Sequence, residues 1–337
     1  MSDGSITIVK TESSAGAWQE AQKKALWSPA AKALDLSFRL DTCQSWADAR
    51  VQVDSGSVTW DIIQIALAEI PQAKAAGILE KLDPDICNEA DFVPGSFTDY
   101  FVGNSLYSTV IAWNKKKFGE EAPRSKADFW DVLNFPGKRA LWSEPVGMIE
   151  AAALASGASR DTVYAFLSTA KGRNAALDKL AEIVPYVSVW WQSGAQASQL
   201  IMGGEVDMIL TWNGRVQDAI DEGANFAYTF NDGQLGIDGY AIVKGAPNRD
   251  AAMRFLKEVS KPDYQKDLPN CFPTAPANMK ALQIGGYSAE KIATMASAPQ
   301  NVPLQYAANS EFWAQHGVWV YEAYGKLACA RRSSPHC

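Results

Sequence analysis

The chain has 337 residues, of which 47% are hydrophobic and 20% are charged, and its formal net charge is -7. This length suits two domains of ordinary size, and the composition is that of a water-soluble globular protein. The acidic balance argues against a nucleic-acid or anionic-membrane surface, because such surfaces need clustered Lys and Arg. No apolar run approaches the ~20 residues that span a bilayer.

Strand-like and helical patterns alternate along the chain, which predicts an α/β fold with largely parallel sheets. The predicted strands are Ser5–Thr11, Ser37–Asp41, Trp60–Ala66, Tyr107–Asn114, Ala140–Ser143, Val206–Trp212, Phe226–Phe230 and Gly239–Lys244. The predicted helices are Gly16–Ala33, Arg160–Lys171, Arg173–Ile183, Arg249–Ser260 and Ser310–Lys326. The first strand follows Met1 almost at once, so we expect a mature form whose leader has been removed; a cytoplasmic protein would look the same.

No linker separates two halves, so the chain is expected to cross between its domains more than once. Extended segments at Asn104–Asn114, Gln234–Lys244 and Ala298–Ala308 are the predicted crossings. We expect residues 1–110 and 240–300 to form one lobe, and residues 111–239 and 301–327 to form the other. Residues 328–337 have no apolar period and are interpreted as a tail, natural or vector-derived.

The five cysteines are scattered along the chain: Cys43, Cys87, Cys271, Cys329 and Cys337. None forms a CxxC pair, so a zinc or redox motif is not expected. Two of the first three could form a disulfide in an oxidising compartment, and the pairing stays open. The only histidines are His316 and His336, which disfavours most hydrolase and metal chemistry. We therefore expect no cofactor and no metal.

The segment from Gly203 to Gly223 contains the strongest candidate for ligand binding. A buried strand ends at Trp212, a turn follows, and Arg215 opens a helix that stops at Gly223. Ligands of open α/β sheets lie at the carboxyl ends of strands, beside helix N-termini. A cation at a helix N-terminus is locally unfavourable, and a bound anion would reverse that penalty. The alternative is an ordinary ion pair with a surface carboxylate.

Other candidate ligand residues follow strands elsewhere in the chain. Asp238 stands at the entrance to a buried strand, where a carboxylate either caps a turn or receives a ligand ammonium. The remaining candidates are Glu12, Ser13, Ser14, Tyr107 and Ser143. Serine is also a common helix N-cap, and this structural role alone would account for the serines of the first loop. The Trp190–Trp191 pair is interpreted as core.

With these motifs in place, the chain resembles the polyamine-binding (spermidine/putrescine-type) branch of the periplasmic solute-binding proteins of ABC transporters, from Ile6 to about Tyr324. The resemblance is carried by the order and spacing of WDIIQIALAEIPQAKAAGILEKLDPD, STVIAWNKKKF, FWDVLNFPGKRAL, GGEVDMILTWNG, GIDGYAIVKGAPN and CFPTAPAN. It implies a type II two-lobed fold, each lobe a mixed, mostly parallel sheet flanked by helices, with a ligand cleft at the hinge. It also implies a monomer in the periplasm that delivers its ligand to the permease subunits and catalyses nothing. By this resemblance, Trp212 stacks on the ligand and Asp238 binds a ligand amine.

The chain departs from the polyamine binders where their aromatic and acidic side chains follow the first strand. It has Ser13, Ser14 and Ala15 there, and Arg215 would repel a polycation. One anion receptor and one cation receptor suit a zwitterion, so the chain looks similar to the γ-aminobutyrate-binding members of this branch. The alternatives are a polyamine binder, an enzyme on the same scaffold, and a chemosensory receptor subunit.

Overall fold

The computed structural model describes residues 5–11, 14, 16–43, 45–119 and 121–332. The strands are β1 Ser5–Thr11, β2 Ser37–Cys43, β3 Ile62–Ala66, β4 Leu79–Glu80, β5 Phe97–Thr98, β6 Phe101–Asn114, β7 Arg139–Trp142, β8 Val187–Trp191, β9 Met208–Trp212, β10 Phe226–Val243, β11 Ala275–Pro276 and β12 Gln305–Ala307. The helices are α1 Ala17–Gln22, α2 Ser28–Ala33, α3 Asp48–Ser55, α4 Ile70–Ala75, α5 Lys115–Phe118, α6 Met148–Ala155, α7 Val163–Ser168, α8 Ala170–Ile183, α9 Gly194–Met202, α10 Asn213–Asp221, α11 Arg249–Val259, α12 Pro262–Gln265, α13 Leu268–Cys271, α14 Met279–Ile284, α15 Ala289–Ala293 and α16 Ser310–Arg332. A π-helical turn (Lys23–Trp27) joins α1 to α2, and short 3₁₀ turns cover Leu67–Glu69, Glu89–Asp91, Lys126–Trp130, Val184–Tyr186 and Val302–Leu304.

Unit 1 comprises the described residues of Met1–Tyr107 and Gly236–Met295. Its strands lie in the order β2-β1-β3-β10-β6. Strand β1 is parallel to both of its neighbours, whereas β3 and β10 are antiparallel, with Gln64 opposite Tyr240 and Ala66 opposite Asp238. The core on one face of this sheet is almost entirely aliphatic and aromatic, and it includes Ile63 and Phe101.

Unit 2 comprises the described residues of Ser108–Leu235 and Ala296–Cys337. Strand β9 is antiparallel to β6 and parallel to β7, and β7 is parallel to β8. The short strand β12 runs parallel to β10. One core cluster combines the strands with helices α9 and α10 and contains Trp191, which is fully buried.

The chain passes from one unit to the other inside two long strands. Strand β6 changes unit between Tyr107 and Ser108, and β10 changes between Leu235 and Gly236. The last passage follows Met295, shortly before the third segment that we predicted. Because both strands continue without a break through these points, each carries side chains of both units.

The predicted α/β class is confirmed, and several local predictions are wrong. The break predicted between the helices Arg160–Lys171 and Arg173–Ile183 falls at Thr169 instead. Phe226–Phe230 and most of Gly239–Lys244 belong to one strand, β10, which continues through its Asp- and Gly-rich middle although Asp232 has a φ of 59°. The turn predicted after Trp212 is the first turn of α10, so Arg215 is the third helical residue. Helix α16 continues to Arg332, beyond the predicted start of the tail at 328.

The possible disulfide does not form among the described residues. Cys43, Cys87 and Cys271 are all free thiols. Burial raises the pKa of Cys43 and of Cys87 to about 12, so both stay protonated at neutral pH. Cys329 lies in the part of α16 whose side chains are not described, and Cys337 lies outside the described residues.

Candidate functional site

Arg215 lies in unit 2 with its side chain buried against another helix. Trp212 is the N-cap of α10, and Arg215 is only 3% exposed. A Cβ atom at Gly194, the first residue of α9, would lie 2.6 Å from Cζ of Arg215 and 2.7 Å from its Nη2. The guanidinium therefore lies over the first turn of α9 while its own backbone belongs to the first turn of α10. Two helix N-termini meet around one buried cation, an arrangement that favours an anion.

The first turn of α10 is held to strand β6 by a side-chain bond. Asn213 is fully buried, and its Oδ1 accepts a hydrogen bond of 2.8 Å from the backbone N–H of Ser108. Ser108 is the first residue of unit 2 on β6. This bond ties the first turn of α10, in which Arg215 lies, to strand β6.

Three tryptophans from neighbouring strands surround the start of α10. The ring of Trp212 stands edge-on to Trp142 and Trp191, with centroid separations of 5.0 and 5.1 Å. Trp142 and Trp191 are stacked at 5.5 Å. Trp191 is fully buried, whereas Trp142 and Trp212 are half-buried. The stacked pair therefore supports Trp212 in a fixed orientation with part of its ring exposed.

Ser143 and Glu144 follow β7 and continue the same edge of unit 2. The backbone N–H of Ser143 donates to the carbonyl of Trp191 at 2.9 Å, so this residue extends the pairing of β7 with β8. The Ser143 residue, which carries the candidate hydroxyl group, is half-buried. Burial raises the pKa of the Glu144 carboxyl. Ser143 therefore stays a candidate, and Glu144 adds a carboxyl group that the sequence did not single out.

Two of the predicted ligand residues, Asp238 and Tyr107, lie in unit 1. Asp238 is half-buried on β10, opposite Ala66 of β3. The Tyr107 ring lies against Gly236, where an added Cβ would approach the phenol oxygen to 2.6 Å. Gly236 is thus required by the close approach of an aromatic ring to β10. Within unit 1 the structure places Tyr107 and Asp238 near the ends of the unit's portions of β6 and β10.

The first loop is only partly described. Glu12 and Ser13 lie outside the described residues, and Ser14 is half-buried. The described part of the loop leads into α1 through Gly16, which has a φ of 82°. The ligand-binding prediction for Ser14 stays a prediction.

Sequence reasoning missed two residues of this site, Gly194 and Trp142. Gly194 followed a serine in a stretch that was not recognised as a helix start, although Ser193 caps α9 by accepting from the backbone N–H of Gln196. Trp142 was placed in a strand without a role. The Trp190–Trp191 pair divides as neighbours on a strand do: Trp191 enters the core, and Trp190 stands edge-on to Tyr324.

Neither a metal centre nor a membrane-spanning helix occurs in the part of the chain that the structure describes. No three His, Cys, Asp or Glu side chains gather there as ligands do around a metal ion. No described helix combines the length and the apolar character that a bilayer requires. His316 packs against Phe312 with ring centroids 5.4 Å apart, and burial lowers its pKa.

Comparison with known proteins gives a consistent result. Residues 30–300 match the family model of bacterial extracellular solute-binding proteins. The γ-aminobutyric acid-binding protein of Pseudomonas aeruginosa is 32% identical over 84% of this chain and 79% of that protein. Among solved structures, the PBP MotA of A. tumefaciens B6 in complex with glucopine is 67% identical, with a TM-score of 0.92 over 96% of this chain and 99% of that chain. The Atu4243 GABA receptor is 28% identical, with a TM-score of 0.85 over 98% of each chain.

Proposed function

Since the chain belongs to the bacterial extracellular solute-binding proteins and is a solute-binding protein of an ABC transporter, we propose that Arg215 binds its solute. The solute that we propose carries a carboxylate group. The observation that carries the proposal is the burial of this guanidinium over the first turn of α9. A carboxylate can accept two parallel N–H···O bonds from an arginine, which gives both affinity and orientation. The two helix N-termini add to the attraction.

Glucopine is the first candidate ligand. The support is the 67% identity over nearly the whole of both chains to a protein whose solved structure contains glucopine. A chain this similar is expected to keep much of its relative's binding chemistry.

γ-Aminobutyrate is the second candidate, and it has its own support. The P. aeruginosa relative and the Atu4243 receptor both carry this ligand in their names. In this reading Arg215 takes the carboxylate, and Asp238 takes the ammonium with help from the face of Trp212. A polyamine fits less well, because it has no anion to offer Arg215.

In its cellular role we propose a periplasmic monomer that binds its solute, returns it unchanged and delivers it to the permease subunits of the transporter. Homologues of this family are substrate-binding proteins and not enzymes. Binding energy is then used only to select the solute and to favour the liganded conformation.

The test is calorimetric titration of protein that has been freed of ligand by unfolding and refolding. Glucopine, γ-aminobutyrate and putrescine are titrated into the wild type and into Arg215→Ala, Arg215→Lys and Arg50→Ala. The control Arg50 is exposed and pairs with Asp54 on α3. We expect Arg215→Ala to lose at least 100-fold in affinity for the carboxylate ligand, and Arg215→Lys about tenfold, because a point charge replaces the planar fork. Arg50→Ala should bind as the wild type does.

Two results would contradict the proposal. An Arg215→Ala protein with wild-type affinity would remove the carboxylate assignment. Binding of putrescine alone would instead indicate polyamine chemistry.

A further inference from the structure

A buried network of side-chain hydrogen bonds in unit 1 surrounds Gln22 of α1. Gln22 Oε1 accepts from Asn104 Nδ2 at 2.9 Å and from the Tyr240 hydroxyl at 2.7 Å. Gln22 Nε2 donates to Gln64 Oε1 at 3.1 Å, and Trp27 Nε1 donates to the Tyr240 oxygen at 2.7 Å. All five side chains are at most 3% exposed.

The donor of Trp27 fixes the direction of every bond that follows. An indole N–H can only donate, so the Tyr240 oxygen accepts from it and its own O–H donates to Gln22 Oε1. The NH₂ group of Gln22 must then donate to Gln64, and the carbonyl oxygen of Gln64 must accept this hydrogen bond. The NH₂ group of Gln64 is therefore turned away from the network by the chemistry of its neighbours.

Two donors near this network have no partner among the described residues. They are Nε2 of Gln64 and Nε1 of Trp18, in side chains that are 3% and 6% exposed. Trp18 precedes Gln22 by four residues on α1, so both side chains leave the same face of that helix. A buried donor without an acceptor destabilises the protein, and such groups call for a bound partner.

The register of β3 and β10 relates these donors to Asp238. Gln64 pairs with Tyr240, and Ala66 pairs with Asp238. Alternate residues of a strand share one face of the sheet, so Gln64 and Asp238 project from the same face, about 6–7 Å apart along the strands.

We propose that Gln64 and Trp18 form a subsite of unit 1 that binds a neutral hydroxyl group of the solute. This deepens the proposed function and rests on it. Both free groups are donors, so the ligand must supply an acceptor there, and an ammonium group has none. A hydroxyl fits better than a carboxylate, because Asp238 lies on the same face and would repel a second anion.

The subsite makes a prediction about ligand class. A hydroxylated solute satisfies both donors when it binds, whereas putrescine leaves them without a partner. Selectivity for hydroxylated solutes would thus come from unit 1, and it is separate from the recognition of a carboxylate by Arg215.

The experiment uses two substitutions that remove a donor. Trp18→Phe keeps an aromatic ring against Phe272, whose centroid lies 5.4 Å away, and removes the N–H together with part of the buried indole. Gln64→Glu keeps an oxygen for Gln22 and replaces the NH₂ group by a second oxygen. The control is Trp60→Phe, because the N–H of Trp60 already donates to Asp41 at 2.8 Å.

With the polyhydroxylated compound glucopine as the probe, calorimetry should show about a tenfold loss of affinity for Trp18→Phe and at least a tenfold loss for Gln64→Glu. Gln64→Glu should bind putrescine at least as well as the wild type does, because its new carboxyl group favours a cation. Trp60→Phe should bind glucopine as the wild type does. The melting temperature of ligand-free Trp18→Phe should fall less than that of Trp60→Phe, since both variants lose the same buried ring atoms and only Trp60 also loses a bonded donor.

Unchanged glucopine affinity in both variants would mean that buried water alone satisfies these donors, and it would overturn the inference. Arg215→Ala, measured beside them, separates this result from failure of the proposed function. If Arg215→Ala loses affinity and the two donor variants do not, only the subsite is wrong. A wild type that binds neither glucopine nor γ-aminobutyrate would remove both.

Discussion

The guanidinium of Arg215 fills the space in which any residue other than glycine at position 194 would carry its side chain. An alanine Cβ there would lie 2.6 Å from Cζ and 2.7 Å from Nη2, well inside van der Waals contact. The absence of a side chain at Gly194 is thus what lets a buried arginine from α10 rest on the first turn of α9. The glycine and the arginine form one functional unit although 21 positions separate them in the sequence.

Gly194→Ala is expected to weaken binding of the carboxylate ligand at least tenfold, because the methyl group displaces the guanidinium. Its backbone does not have the left-handed conformation that disfavours alanine, so the helix should form normally. Gly203→Ala, at the other end of α9, is the matched control, since its new Cβ meets the flexible Glu205 side chain at 3.2 Å. Titration calorimetry and thermal melting of both variants test this. Equal affinities for the two would contradict it.

Gly236→Ala is expected to displace the Tyr107 ring, because the new Cβ would approach the phenol oxygen to 2.6 Å. If Tyr107 contacts the solute, as predicted, Gly236→Ala and Tyr107→Ala should each weaken binding about tenfold. The double variant should then be little worse than either single one, since both remove the same contact. The dissociation constants of the wild type, the two single variants and the double variant form a double-mutant cycle. Fully additive losses would show that Gly236 acts without Tyr107.

The sequence was sufficient to predict the α/β class and the family, because alternating elements and ordered motifs extend over most of the chain. It also singled out Trp212, Arg215 and Asp238, which follow or enter buried strands, and their roles in ligand binding stay predictions. These predictions depend on local patterns of apolar residues and turns, and such patterns can be recognised in the sequence alone.

Features that depend on partners distant in the chain were not predictable. The turn expected at Asn213 is helical because its side chain accepts a bond from Ser108, 105 residues earlier. Strand β10 was predicted as two separate strands, whereas its middle pairs with Gln305–Ala307, about 70 residues further along the chain. Gly194 was overlooked because only the three-dimensional structure brings Arg215 against it.

Arg139→Met is expected to lower the free energy of unfolding by about 3 kcal/mol or more. Arg139 is fully buried and donates to the backbone carbonyls of Phe129 and Gly137 at 2.8 Å, with further bonds to Phe135 and Asp131. Removing the guanidinium takes this donor from the buried carbonyls, of which only that of Asp131 keeps a second donor, the backbone N–H of Phe135. The exposed neighbour Lys138, changed to Met, should stay within about 0.5 kcal/mol of the wild type. Urea unfolding measures both, and equal midpoints with equal slopes would refute the expectation.

Lys126 is expected to make the stability of the protein rise with pH above neutrality. It is fully buried, its ammonium group lies 5.4 Å from the centre of the Tyr306 ring, and its Nζ has no hydrogen-bond partner among the described residues. Burial lowers the pKa of Lys126 from 10.5 to about 8, although the charges of Glu150 and Asp232 act to raise it. Glu150 is itself held by Gly147, Tyr164, Gln234 and Trp313.

Between about pH 8 and pH 10.5 the unfolded chain keeps the Lys126 proton and the folded protein releases it. The unfolded state then binds more protons, so the free energy of unfolding rises with pH, by about 1 kcal/mol per unit. From pH 8 to about pH 9.5 the wild type should therefore gain stability relative to Lys126→Met, and Lys116→Met at an exposed lysine should follow the wild type. Urea unfolding at each pH gives the differences. Parallel curves for the wild type and Lys126→Met would show that this lysine keeps its proton throughout the range.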